Sequence, residues 1–169
     1  MHFIYIFLIS CFVFSACCPE PKALTAEEIS KEEAAAMKVC DDYNKASQQK
    51  NWAALVETLA GEVIFFGTDS AEIIKTFAEF KIKMLDQWKR YDKMVYGKMT
   101  DASVQMDKNA TFASVIFGVP VTLTTPLSNK TYFLRVSRTL KKEKEKWVIV
   151  SGIVGVAADL ETRNNVEAK

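Results

Sequence analysis

Residues 131–156 read TYFLRVSRTLKKEKEKWVIVSGIVGV, and the chain shows its clearest structural pattern here. Along 131–142, alternate side chains fall into two sets, which is typical of a β-strand. One set is Tyr132, Leu134, Val136, Arg138 and Leu140, and the other is Phe133, Arg135 and Ser137. A charged turn at 143–145 precedes a strand over 146–156, whose glycines predict a close approach to its backbone. The stretch predicts a long β-hairpin.

The same alternation extends upstream of this hairpin. Beyond Arg90 the apolar period changes from helical to alternating, and turn residues follow at 107–109 and around Pro126. The pattern predicts three further strands, over 92–100, 102–107 and 110–124. The carboxy-terminal half of the chain is therefore predicted to form a run of antiparallel strands.

The amino-terminal half has helix signals. Thr25 begins a capping box, and the helix that follows has an inward face at helical spacing. That face consists of Ile29, Ala36, Cys40, Tyr43 and Ser47. Cys40 is predicted to be a small core residue. Asn51 is predicted to cap a short helix from Trp52 to Leu59, stopped by Gly61.

A short apolar strand, Val63–Phe66, comes next and ends at Gly67. Asp69 or Ser70 is predicted to cap a brief turn of helix after it. A second capping box at Thr76 begins a longer helix with an inward stripe. The stripe is made of Phe77, Phe80, Met84 and Trp88. Helices followed by antiparallel strands predict an α+β fold with the helices packed on one curved sheet.

The first residues predict export. Phe3 to Phe14 is an apolar run broken only by Ser10, shorter than the roughly 20 residues that a spanning helix needs. Ser15 and Ala16 then precede Cys17, which resembles the bacterial lipoprotein signal, in which the new amino-terminal Cys carries lipid. This resemblance implies a lipoprotein anchored on the periplasmic or extracellular side of a membrane through Cys17.

Two alternatives to this processing stay open. Cys18 is a second acceptor for the lipid, and a plain secretory signal would be cut near Ala16. The predicted organisation has four parts in sequence order. They are a signal peptide at 1–16, a tether at 17–24, one domain at 25–158 and a polar tail at 159–169. Removing 1–16 would also remove His2, the single His of the chain.

Composition excludes some functions. The 169 residues contain 22 basic and 21 acidic side chains, giving a formal charge of +1, which provides no field to hold nucleic acid. The sequence has no Cys cluster, no calcium-loop spacing and no glycine-rich phosphate loop. We therefore expect no metal, no cofactor and no nucleic-acid partner.

The element order carries a more specific resemblance. The segments that carry it are Phe66-Gly67-Thr68-Asp69-Ser70-Ala71-Glu72 and Lys146-Trp147-Val148-Ile149. Over about residues 26–157 the chain resembles the SnoaL-like branch of the nuclear transport factor 2-like superfamily, which includes ketosteroid isomerases. The resemblance implies a cone, in which a bent antiparallel sheet wraps around the amino-terminal helices and leaves a pocket at its open end.

The same resemblance argues against an isomerase site. The isomerase base would fall at Phe66 or its neighbour, and the imidazole of many SnoaL-like sequences would fall near Ile153. Neither position has a group for acid–base chemistry. This family also contains isomerases, cyclases, dehydratases, ligand-binding domains and dimerisation modules, so the fold alone does not choose a function.

Several residues are candidates for lining a pocket. Tyr43 is a hydrogen-bond donor, and Arg135 would hold an anionic ligand if it lay on the concave face. Asp69 and Glu72 form a carboxylate pair whose structural interpretation is helix capping. The candidate ligand-binding set is Tyr43, Phe66, Asp69, Trp88 and Arg135.

Three functions follow as hypotheses. The leading one is a lipid-anchored domain that binds a small apolar or amphipathic molecule without catalysis. The second is an isomerase- or dehydratase-type enzyme that uses Asp69 or Glu72 as the base and Tyr43 as the donor. The third is an interaction module whose open sheet face forms a homodimer.

Overall fold

A computed structural model describes residues 24–157. The predicted signal peptide, the tether apart from Leu24, both Cys17 and Cys18, and the polar tail lie outside these residues. The helices are α1 (Ala26–Gln48), α2 (Trp52–Val56) and α3 (Phe77–Arg90). The strands are β1 (Leu59–Phe66), β2 (Ile73–Ile74), β3 (Lys93–Tyr96), β4 (Thr100–Met106), β5 (Phe112–Thr125), β6 (Ser128–Glu143) and β7 (Lys146–Val156).

All seven strands form one sheet in the order β2-β1-β7-β6-β5-β3, with β4 also paired to β5. Within residues 24–157, β1 and β7 run parallel and the other strand pairs are antiparallel. The long strands β5 and β6 curve, so the open sheet covers α1 and α3 on its inner face. The predicted α+β architecture, with a curved sheet around amino-terminal helices, is confirmed.

The first helix forms as its capping box predicts. The Thr25 hydroxyl accepts the Glu28 N–H at 3.2 Å, and the Glu28 carboxylate accepts the Thr25 N–H at 2.8 Å. Ala36, Cys40, Tyr43 and Ser47 are buried on its inward face. Cys40 is a free thiol in the core, as predicted, and burial raises its pKa to about 12 against the opposing charge of Arg138.

The predicted end of the second helix is wrong. It ends at Val56 rather than Leu59, because the chain joins the sheet early: Leu59 is already paired with Ile149 of β7. The Ile149 N–H donates to the Thr58 carbonyl at 2.9 Å. Gly61 lies inside β1 and stops nothing. Pairing with a distant strand overrides the local helix signal here.

The predicted turn of helix after Gly67 is also absent. The Glu72 N–H donates to the Asp69 carbonyl at 2.9 Å and closes a single turn, after which β2 pairs back onto β1. The helix at Thr76 is confirmed, because the Thr76 hydroxyl accepts the Glu79 N–H at 3.2 Å. Phe80, Met84 and Trp88 are buried along its predicted stripe.

The carboxy-terminal half has all five predicted strands, β3 to β7, with ends shifted by a few residues. Consecutive strands pair from β4 to β7, whereas β3 pairs with β5 and not with β4. Strand β6 pairs with β5 from Ser128 to Lys141 and with β7 from Leu134 to Glu143. Its alternation is confirmed: Val136, Arg138 and Leu140 are buried, whereas Phe133 and Arg135 are exposed. The inner set of β6 lies over the helices and forms one wall of a cavity.

Candidate functional site

A cavity of about 470 Å³ lies between α1, α3 and the inner face of the sheet. Its volume is in the range of sites for small organic ligands. Much of its wall is apolar. The apolar lining consists of Phe65, Ile74, Phe80, Met84, Val121, Leu123, Leu134, Val136, Val154 and Val156.

The cavity has a mouth and a deep end, and strand β6 runs from one to the other. Tyr132 near the mouth is 37% exposed, whereas Val136 and Arg138 are 4% and 5% exposed. Strand β7 follows the same gradient in reverse, because Val156 pairs with Leu134 and Gly152 pairs with Arg138. Arg138 therefore lies at the deep end.

Arg138 has an unusual environment for a cation. Its guanidinium lies over the rings of Tyr43 and Phe65, 5.0 Å from each ring centroid. Among residues 24–157 no carboxylate forms an ion pair with it, and its Nη1 atom has no hydrogen-bond partner there. Most buried polar groups in proteins are hydrogen-bonded, so a buried Arg138 donor without a partner is an exception that needs an explanation.

Gly152 provides the space that the guanidinium occupies. A Cβ atom at Gly152 would lie 2.3 Å from Nη1 and 2.8 Å from Cδ of Arg138, well inside van der Waals contact. It would also lie 2.8 Å from the Ser137 carbonyl oxygen. This is the close backbone approach that the glycines of the last strand predict, and it fixes where the Arg138 side chain lies.

The other polar groups of the interior are neutral donors. The Asn44 amide nitrogen is buried in the cavity wall and has no hydrogen-bond partner among the described residues. Burial raises the pKa of Tyr43 to about 12 and also raises that of Tyr96, in both cases against the charge of Arg138. Both phenols are therefore protonated at neutral pH, and the deep end has a net positive charge.

The carboxylates lie at the mouth, where the backbone uses them. Glu72 Oε2 accepts the N–H groups of Thr68 at 3.0 Å and Asp69 at 3.3 Å. Asp69 Oδ1 accepts the Ala71 N–H at 2.8 Å. These bonds hold the turn after β1. The pair therefore does the structural work of capping a turn, although not of a helix.

The structure brings together some of the predicted site residues and separates others. Tyr43, Phe66 and Asp69 border the cavity. Phe66 borders it at the mouth, but its strand phase puts its side chain beside Ile153 on the outer face, where it is 44% exposed. Trp88 does not line the cavity, because the α3 stripe faces the core there. Its ring centroid lies 6.4 Å from that of Trp52.

Arg135 is not in the cavity lining either, because its strand phase puts it on the convex face, where it is exposed. Of the two faces that were open for this residue, the convex one is correct. Arg138 is a site residue that the sequence prediction missed. The available signal was its phase: it is the one charged member of an otherwise apolar set with Leu134, Val136 and Leu140.

Ile153 lies on the outer face, opposite Ser137 and Phe66, and is 56% exposed. The position matched to an imidazole in the resemblance is thus outside the cavity. Across residues 24–157, no three side chains of His, Cys, Asp or Glu come together as a metal site requires. No helix in that same stretch combines the length and apolar character needed to cross a bilayer.

Helices under a curved sheet, with a ligand-sized cavity between them, define an α+β cone of the nuclear transport factor 2-like class. The sequence profile of the SnoaL-like domain family matches residues 36–158, and the chain belongs to this family. The predicted family is therefore confirmed. No curated protein sequence matches the chain.

Solved structures share the fold. The CaMKII hub of S. rosetta is 25% identical, with a TM-score of 0.63 over 73% of this chain and 95% of the hub. A nuclear transport factor 2-like protein of unknown function from Pseudomonas putida is 12% identical, with a TM-score of 0.66 over 79% and 92% of the two chains. A hexachlorocyclohexane dehydrochlorinase from Novosphingobium barchaimii is 9% identical, with a TM-score of 0.69 over 79% and 92%.

Proposed function

We propose that this SnoaL-like domain binds a small amphipathic molecule in its cavity and does not transform it. The cavity itself carries the proposal: it has a volume of about 470 Å³, an apolar part of its wall formed by the sheet and α3, and polar donors at the deep end. This combination of apolar lining and a few converging polar groups is typical of small-molecule sites.

Binding is favoured over catalysis by the state of the titratable groups. A general base needs a carboxylate or imidazole within reach of the substrate proton. The carboxylates of Asp69 and Glu72 accept backbone N–H groups at the mouth. The phenol of Tyr43 is held in its protonated form by burial. The interior groups are thus suited to donating hydrogen bonds to a bound molecule.

A matched pair of variants tests ligand binding. Val154→Phe puts a ring into the cavity wall, whereas Ile153→Phe adds the same ring to the outer face one residue away. We expect native mass spectrometry and thermal shifts with lipid and steroid panels to detect binding to the wild type and to Ile153→Phe, but not to Val154→Phe. Absence of any bound molecule and any shift in the wild type would contradict the proposal.

The enzymatic alternative makes a different prediction for the same panel. An isomerase or dehydratase using Asp69 or Glu72 would convert a bound ligand, and Asp69→Asn or Glu72→Gln would stop turnover while leaving binding intact. Mass analysis of ligands recovered after incubation measures this directly. Unchanged ligands support a binding protein, and a product lost in either variant would establish the enzyme.

We also propose that the domain is exported and held on a membrane through an acylated Cys17. Support comes from the apolar run Phe3–Phe14 and the small residues directly before Cys17. Expression in a bacterium with an alkyne-labelled fatty acid, followed by membrane fractionation, tests it. Cys17→Ser should lose label and membrane association, whereas Cys18→Ser should keep both. The reverse pattern would move the site to Cys18.

A homodimer is a second proposed property, favoured by an uncharged, largely apolar row on the outer face of the sheet. Neighbouring strands place Phe66, Ile153, Ser137 and Ile116 side by side across this face. Ile153 and Ile116 are 56% and 54% exposed. Exposed apolar residues that line up in this way often mark an interface, and a second copy of the chain presents the same uncharged row.

Light scattering at micromolar concentration measures the association. We expect a dimer for the wild type and a monomer for Ile153→Lys, because a charge in the middle of the row would be buried without a partner. Ile82→Lys is the control, since Ile82 is 60% exposed on α3, away from the sheet. A strictly monomeric wild type would refute this use of the face.

A further inference from the structure

The deep end of the cavity has a charge without a counter-charge. Arg138 is 5% exposed, and each carboxylate that lines the cavity is at least partly exposed near the mouth: Asp69, Glu72 and Asp86. A buried, unpaired cation is unfavourable, and the rings of Tyr43 and Phe65 compensate for only part of the lost hydration. The interior therefore favours a ligand that brings a negative charge.

The buried donors without partners indicate which class of anion fits the cavity. Arg138 and Asn44 both belong to the lining of this cavity, and the buried Nη1 and Nδ2 atoms of these side chains have no acceptor among the described residues. A carboxylate supplies two oxygens that accept several hydrogen bonds, and it pairs well with a guanidinium. Of the three cations that line the cavity, Lys83 and Arg90 are exposed and Arg138 is buried. One buried cation matches a monoanion, whereas a phosphate monoester has more charge than one guanidinium neutralises.

We propose that the cavity selects amphipathic monocarboxylates, with Arg138 as the counter-ion of the carboxylate. This rests on the proposed ligand-binding function and names the class of ligand. Asn44 donates a second hydrogen bond to the carboxylate. The ligand enters head first, because the guanidinium is at the deep end and Leu134 and Val156 lie toward the mouth. Its apolar body then lies against the walls.

Acid and amide pairs of the same shape test the charge directly. Calorimetric titration of the whole domain uses 4-phenylbutyrate against 4-phenylbutanamide, and decanoate against decanamide. A hydrogen bond to a charged group contributes more than a neutral one, so we expect each acid to bind about tenfold to a hundredfold more tightly than its amide. The amides keep shape and apolar area constant.

Two arginines of the same strand provide the matched variants. Arg138→Met should remove the preference for acid over amide while keeping amide binding, and Arg135→Met should leave the preference unchanged because Arg135 is exposed on the convex face. Arg138→Lys keeps the charge without the planar fork and should retain part of the preference. Circular dichroism establishes that each variant is folded.

The outcomes separate the two proposals. Equal affinity of acid and amide for the wild type, or an acid preference that survives Arg138→Met, overturns the carboxylate inference and leaves ligand binding in place. Failure of the acids and amides, together with the lipid and steroid panels, to bind the wild type overturns the proposed function, and the inference with it. A preference that disappears in Arg138→Met, is partly kept in Arg138→Lys and is unchanged in Arg135→Met supports both.

Discussion

Two cations on the same face of strand β6 contact helix α1, but they contact different kinds of group. Lys142 Nζ lies 2.6 Å from Glu32 Oε1, and Glu32 Oε2 accepts the indole N–H of Trp147 at 2.7 Å. Four residues earlier on the strand, Arg138 meets the ring of Tyr43 and no carboxylate. The first cation has a carboxylate partner, and the second has none among the described residues.

This difference separates a structural charge from one available to a ligand. The Lys142–Glu32 pair joins the helix to the hairpin, and the hydrogen bond from Lys142 lowers the pKa of Glu32 despite partial burial. Arg138 lies instead at the cavity of about 470 Å³, and no carboxylate among residues 24–157 forms an ion pair with it.

The largest expected effect is loss of the paired site. Glu32→Ala leaves Lys142, whose side chain is 16% exposed, without its partner and removes the acceptor of the Trp147 N–H. We expect the free energy of unfolding to fall by about 2–3 kcal/mol in urea titrations. Glu33→Ala is the control, because Glu33 makes no ion pair among the described residues. Equal effects of the two variants would show that the contacts of Glu32 with Lys142 and Trp147 do not stabilise the fold.

Displacing the guanidinium is expected to have the next largest effect. Gly152→Ala puts a methyl group 2.3 Å from Arg138 Nη1 and 2.8 Å from the Ser137 carbonyl oxygen, so the side chain and the strand must shift. We expect a loss of about 1–3 kcal/mol of stability from overpacking. Gly155→Ala is the control, since a Cβ there meets nothing within 4 Å.

Ligand binding distinguishes a positioning role for Gly152 from simple overpacking. If Gly152 positions Arg138, Gly152→Ala should reduce the acid-over-amide preference. The double variant Gly152→Ala/Arg138→Met should then show no reduction beyond that of Arg138→Met alone. A full acid preference in a destabilised Gly152→Ala protein would mean that the glycine serves packing alone.

A smaller effect is expected from acid. The pKa of Glu32 is lowered in the folded chain, so its contribution is complete above the ordinary carboxyl range and is lost as the pH falls through the lowered pKa. The stability difference between the wild type and Glu32→Gln should therefore be largest near neutral pH and shrink toward pH 3. A difference that stays constant with pH would assign the effect to shape rather than charge.

Much of this architecture was predictable from local signals. The caps at Thr25 and Thr76 and the alternation along β6 each depend on residues close in sequence, and each is confirmed. The early end of α2 was not predictable in this way, because it depends on Leu59 pairing with Ile149, some ninety residues later in the chain.

The site was harder to predict for the same physical reason. Alternation separates Arg135 from Arg138 correctly, but only the packing of β6 on the helices decides which set faces inward. The apolar character of Leu134, Val136 and Leu140 was the available clue, since an arginine in phase with them must be buried. The role of Gly152 depends on the β6–β7 register, which no local pattern reveals.

The smallest predicted effect gives the sharpest comparison of the two cations. Arg138→Met removes a buried charge that has no partner, so stability should stay within about 1 kcal/mol of the wild type or rise, while carboxylate affinity falls. Lys142→Met makes the same change on the same face and should lower stability, because Glu32 loses its cation. Thermal unfolding without ligand measures both. A strong loss in Arg138→Met would mean that the guanidinium holds the fold together, and the two sites would then be alike.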